Sequence, residues 1–130
     1  MSSIRTILVV DDEASFRDFA AETLAAAGFL TRVAGDGREA IRSLEQLPFD
    51  LAVVDLVMPE KEGVETIMEI KRRWPGCKVV AICEDGRFPA SAYLRLATGV
   101  GADATLAKPF SAIAVLDAVR ELLSENVKLH

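Results

Sequence analysis

The sequence predicts an α/β fold: a doubly wound, five-stranded parallel sheet in the order 2-1-3-4-5, covered by five helices. Three observations carry that expectation. Short apolar runs rich in β-branched residues alternate with longer stretches of helical periodicity five times in 130 residues. The run Leu51-Ala52-Val53-Val54 has no polar position until it ends in Asp55, as expected of a strand covered on both faces. Five units are too few for an eight-fold barrel, so right-handed crossovers must lay helices on both sides of an open sheet.

Ile4 to Val10 is a short β-rich run that ends in Asp11-Asp12-Glu13. From Ala14 the spacing of Phe16, Phe19, Ala20 and Leu24 marks one face of a helix, with Gly28 as its stop. Phe29 to Ala34 is the second strand and Gly35-Asp36-Gly37 a turn. Ala40, Ile41, Leu44 and Leu47 follow on a helix that Pro48 closes. The strand ending at Asp55 is next. Beyond Met58-Pro59 and Gly63, the residues Val64, Ile67, Met68 and Trp74 mark a third helix. Cys77 to Cys83 is the fourth strand, and Pro89 to about Thr98 an alanine-rich helix of poor periodicity. Ala102 to Ala107 is the fifth strand, ending at Lys108-Pro109. Ser111 caps a last helix whose apolar face is Val115, Leu116, Val119, Leu122 and Leu123. The expectation is one domain over residues 1–130, with a core of about 4–124, a tail at 125–130 and no separate output domain within that span.

Composition excludes several functions. An apolar fraction of 51% with 27% charged residues is globular, and a net charge of −5 argues against direct nucleic-acid binding. The basic run Lys71-Arg72-Arg73 falls at a helix end, where it complements the helix dipole. No run is long enough for a membrane span or a signal peptide. Cys77 and Cys83 lack a CxxC spacing, and the single histidine is His130, the last residue, so a catalytic or zinc-binding histidine is excluded. A reducing, cytoplasmic setting fits this cysteine usage.

In the flavodoxin-like strand order the first and third strands lie side by side at the switch point. Asp11, Asp12 and Asp55 then converge on one crevice, with Lys108 arriving from the fifth strand. Carboxylate pairs at ~4 Å repel by on the order of 4 kcal/mol at an effective dielectric near 20, so the cluster needs cations. Lys108 supplies one charge. An all-oxygen site with room for water suits Mg²⁺ as the second source. A carboxylate beside Mg²⁺ and a lysine is a nucleophile toward phosphorus.

The motifs Val9-Val10-Asp11-Asp12-Glu13, Val54-Asp55-Leu56-Val57-Met58-Pro59, Gly63 and Lys108-Pro109-Phe110, with Gly37, Ala40 and Asp50, carry a family likeness. The chain resembles the receiver domain of bacterial two-component response regulators from about Ile4 to Leu123. The resemblance implies that Asp55 is the phosphoacceptor, fed by a sensor histidine kinase or a histidine phosphotransfer protein. It implies Mg²⁺ on Asp12, Asp55 and the Val57 backbone carbonyl, with Asp11 acting through water. Lys108 would contact the phosphoryl group, its bond to Pro109 being cis in the family. Glu13 is expected to begin the first helix. Such a module is not a turnover enzyme. It signals by binding a downstream protein target or a fused output domain, and the face of the fourth and fifth units is the implied docking or homodimer surface.

Two positions depart from the pattern. Cys83, followed by Glu84, stands where the family carries a switch Thr or Ser, and a thiol is a weak donor. Thr105 stands where the family carries a switch aromatic. The expected consequence is that the stretch from Cys83 to Pro89 moves instead. Val57 and Asp85, two positions beyond Asp55 and Cys83, are expected to tune the lifetime of the phosphate. An alternative is a receiver-like interaction module that does not use phosphorylation. A flavin carrier would want a Ser/Thr-rich loop after the first strand, where Asp11-Asp12-Glu13 has the wrong charge. An aspartyl-phosphate phosphatase would want an acid/base carboxylate two residues beyond its nucleophile, where Asp55 is followed by Val57.

Overall fold

Every residue of β3 (Leu51–Asp55) is buried, and the rest of the chain is layered about it. The computed structural model describes residues 4–58, 63–84 and 89–123. Around β3 run β1 (Thr6–Val10), α1 (Ala14–Ala26), β2 (Leu30–Ala34), α2 (Gly37–Gln46), α3 (Gly63–Arg73), β4 (Lys78–Glu84), α4 (Ala90–Gly99), β5 (Ala104–Lys108) and α5 (Ala112–Leu123). The five described strands are parallel, in the order β2-β1-β3-β4-β5.

Strand alternation sorts the core into two layers. Leu8, Val10, Ala52, Val54, Val79 and Ala81 pack under α2, α3 and α4, against Ile41, Leu44, Ile67, Ile70 and Ala97. Ile7, Val9, Leu51, Val53, Val80 and Ile82 pack under α1 and α5, against Leu24, Val115 and Val119. Asp55 shares its strand parity with Leu51 and Val53, so it belongs to the α1–α5 side.

Several boundaries shift from the sequence expectation, each for a visible reason. Ile4 is 72% exposed and lies outside β1. Gly28, with φ 104°, stops the α1 segment as expected. The thiol of Cys77 precedes β4, while pairing of Glu84 with Lys108 carries that strand one residue past Cys83. The fifth strand starts at Ala104, not Ala102, because the Asp103 carboxylate accepts from the Val79 amide at 2.8 Å and holds the turn before it. Met68 and Phe19 were expected on apolar faces. They are 52% and 38% exposed, since helices of a small domain cover only part of their circumference. Ser111 caps α5 as expected, its hydroxyl accepting from the Ala114 amide.

The basic run at the end of α3 does more than sit in solvent. Lys71 Nζ donates to the Cys77 carbonyl at 3.0 Å and pairs with Asp103 at 3.1 Å, fastening the helix end to the amino ends of β4 and β5. Arg73 bridges Glu69 and Glu45, each at 2.9 Å, and stacks over Trp74. Asp50 accepts from the Thr6 amide at 2.8 Å and registers β1 on β3. Among the described residues no helix is long and apolar enough to cross a membrane.

Candidate functional site

The carboxyl ends of β1, β3 and β5 open on one crevice. Asp11, Asp12 and Asp55 each present a carboxylate oxygen there, and these oxygens lie within 4.8 Å of one another. Asp11 and Asp55 are buried and Asp12 is exposed, so the cluster has two inner walls and one open side. Lys108 closes over it. Its ammonium stands 3.0 Å from Asp11 Oδ2, 3.5 Å from Asp55 Oδ2 and 3.4 Å from Glu13 Oε1. The Lys108–Pro109 peptide bond is cis.

Local hydrogen bonds fix the acids. Asp11 Oδ1 accepts from the Glu13 amide at 2.9 Å, and Asp55 Oδ1 from the Val57 amide at 3.3 Å. Behind Asp55 the first turn of α3 presses close: the Gly63 amide donates to the Leu56 carbonyl at 3.1 Å, and a Cβ on Gly63 would overlap the backbone of Asp55 and Leu56. Only glycine fits that approach.

Burial is the first cause that lifts the Asp55 pKa from 3.8 to about 7, and the charge of Asp11 is the second; Lys108 and the Val57 amide pull the other way without cancelling them. Burial alone would lower Lys108, but the hydrogen bond to Asp11 and the charges of Asp55, Asp11 and Glu13 outweigh it, and its pKa is raised. One ammonium therefore undercompensates the acids. The three-oxygen donor set, open on the Asp12 side, fits a hard divalent cation that keeps several waters.

A pH dependence follows. The folded state holds the Asp55 proton more tightly than the unfolded state, so this group's contribution to stability is present near pH 4 and lost as pH rises to about 7. In metal-free buffer its slope reaches about −1.4 kcal/mol per pH unit. Urea unfolding of wild type against Asp55→Asn, with chelator present, checks this: the difference between them should grow between pH 5 and 8. A constant difference would refute it.

The structure brings together Asp11, Asp12, Asp55 and Lys108, as the sequence reading expects. It also adds residues that reading missed. Glu13 does begin α1, at its N-cap, yet its side chain also reaches Lys108. The Phe16 ring lies under the same ammonium, 4.4 Å from Nζ to centroid. The available signal was spacing: Phe16 comes one helical turn after Asp12, on the element that leaves the crevice.

Cys83 is a buried thiol inside β4 on the α2–α4 side of the sheet, and Thr105 is half-buried opposite Ala81. Val57 is 55% exposed at the crevice rim. Asp85, the centre of the stretch expected to move, and the 125–130 tail lie outside the described residues, as does the Glu84 side chain. Burial pushes the Cys77 thiol up to about 12, which leaves it unreactive at neutral pH.

Comparisons with known proteins speak to the family and the fold. The family model described as the response regulator receiver domain matches residues 7–120. The chemotaxis protein CheY of Halobacterium salinarum is 29% identical over 120 residues, covering 92% of this chain and 98% of that protein. CheY of Thermotoga maritima is 31% identical over 121 residues, covering 91% and 97%. Among solved structures, a CheY-like response regulator receiver domain protein from Methanospirillum hungatei superposes with a TM-score of 0.88 at 26% identity, covering 98% of this chain and 100% of that one.

Proposed function

Since the chain belongs to the response regulator receiver domain family, we propose that it accepts a phosphoryl group on Asp55 in a Mg²⁺-dependent reaction. The observation that carries this reading is the convergence of three carboxylates from β1 and β3 under the Lys108 ammonium. The donor is a phosphohistidine on a sensor histidine kinase or a histidine phosphotransfer protein. An Asp55 oxygen forms the new P–O bond as the donor's P–N bond breaks, and the departing imidazole takes up a proton.

Asp12 and Asp55, with the Val57 carbonyl, would hold Mg²⁺ directly, and Asp11 through water. When bound, the metal neutralises carboxylate charge and phosphoryl oxygens. The chain's own groups do the rest. Val57 N–H holds Asp55 Oδ1 in place, leaving Oδ2 toward Lys108. Lys108 supplies a fixed positive charge where negative charge builds on the transferring group. Leu96 of α4 and Ile113 of α5 are exposed apolar side chains on the fourth and fifth units, and this supports those units as the place where a downstream protein or a fused output domain docks.

A second reading, a receiver-like interaction module that takes no phosphate, is favoured by the residues at the switch positions. The β4 position expected to carry a hydroxyl is the buried Cys83, and Thr105 offers no ring. Incubation with acetyl phosphate and Mg²⁺ separates the two. Intact-mass spectrometry should show the gain of one phosphoryl group, lost when chelator replaces the metal. No gain would favour the interaction module.

A further inference from the structure

Lys108 has two different kinds of partner. Its side chain is 2% exposed and sits among Asp11, Asp55 and Glu13 on one side. On another lies the face of Phe16, with the ammonium 4.4 Å from the ring centroid. That ring is itself braced: Phe110 packs on it at 6.1 Å between centroids, and Phe19 packs on Phe110 at 6.1 Å. Phe110 follows Lys108 by two residues, so the aromatic cluster ties α1 to the segment that carries the lysine.

The carboxylates cannot serve both cations equally. A divalent ion bound to Asp12 and Asp55 takes from Asp55 lone pairs that otherwise face the ammonium, draws on Asp11 through water, and repels that ammonium as well. A phenyl face has no net charge and no lone pair for Mg²⁺, yet it attracts an ammonium through its quadrupole, most strongly where water is excluded. Building on the phosphotransfer reading above, we propose that Phe16 is a positioning residue whose ring face keeps Lys108 at the crevice when Mg²⁺ claims the carboxylates. Without it the flexible four-carbon stem would be free to follow Glu13, half exposed at the rim, out toward solvent.

Nuclear magnetic resonance of the full chain tests this directly. Protons stacked over a ring face are shifted upfield, so the Lys108 ε-methylene should resonate upfield of the other lysines. The shift should persist at saturating Mg²⁺, with the Asp12 and Asp55 amides reporting that metal is bound. It should vanish in Phe16→Leu and survive in Phe16→Tyr. Phosphoryl acceptance from acetyl phosphate should slow about tenfold in Phe16→Leu, stay near wild type in Phe16→Tyr, and not slow further when Phe16→Leu is added to Lys108→Met. Loss of the upfield shift on Mg²⁺ binding, or equal rates in the Leu and Tyr variants, would overturn the inference. A wild type that takes no phosphoryl group would sink the phosphotransfer reading instead, and the ring shift would still decide the seat of Lys108.

Discussion

Replacing Asp55 by asparagine is expected to abolish phosphoryl acceptance while making the metal-free protein more stable at pH 8. The two effects share one cause. Asp55 is a buried carboxylate whose ionisation is opposed by burial and by Asp11, with its pKa near 7, and the chemistry requires the ionised form. Asparagine keeps the shape and an oxygen for the Val57 amide, but it has no charge to bury and is not a competent nucleophile toward phosphorus. Lys108 retains Asp11 at 3.0 Å and Glu13 at 3.4 Å, so the substitution leaves no orphaned ammonium. The gain should be on the order of 2 kcal/mol by urea unfolding in chelator. Intact mass should show no phosphoryl adduct under conditions that label wild type. An adduct on the variant would move the acceptor elsewhere, and a loss of stability would refute the account of Asp55 as an undercompensated charge.

Gly63→Ala should be among the most damaging single methyl additions in the chain. The new carbon would overlap the Asp55 carbonyl, at the end of the buried strand β3, and the Leu56 Cα just beyond it, both backbone atoms. Neither can rotate away as a side chain would, so α3 or the end of β3 must shift. Overpacking typically costs about 1–3 kcal/mol, and a clash with backbone belongs at or above the top of that range. Gly76→Ala is the control, because a Cβ there meets no atom within 4 Å. Circular dichroism through a urea titration should show a midpoint lowered strongly in the first variant and little changed in the second. Phosphoryl acceptance should fall with Gly63→Ala even where the protein is folded, since the displaced backbone carries Asp55. Equal midpoints for the two variants would mean the close approach is not rigid.

The fold was legible because two periodicities rarely contradict each other here. Leu51 to Val54 has no polar break, and each helix pattern begins a few residues past a strand end, after an acid, glycine, proline or serine. The acids and Lys108 were legible for a related reason: strand ends in an open parallel sheet point to one edge, so topology alone brings them together. What sequence could not supply was the direction of side chains on α1. Phe16 read as one more core residue at helical spacing, and only the three-dimensional path of Lys108 shows that its ring faces a charge. Glu13 has the same history, its N-cap position being readable and its reach to Lys108 not. Strand boundaries slipped where side chains such as Asp103 replace ladder bonds, a substitution that composition does not reveal.

Because α3 is held at both poles of the molecule, it behaves as a fixed strut. Gly63 abuts the Asp55 backbone at one end, and Lys71 is latched to Cys77 and Asp103 at the other. A displacement at Asp55 therefore finds this path stiff. Under the proposed phosphotransfer, whatever change reaches a binding partner must then travel by an element other than α3.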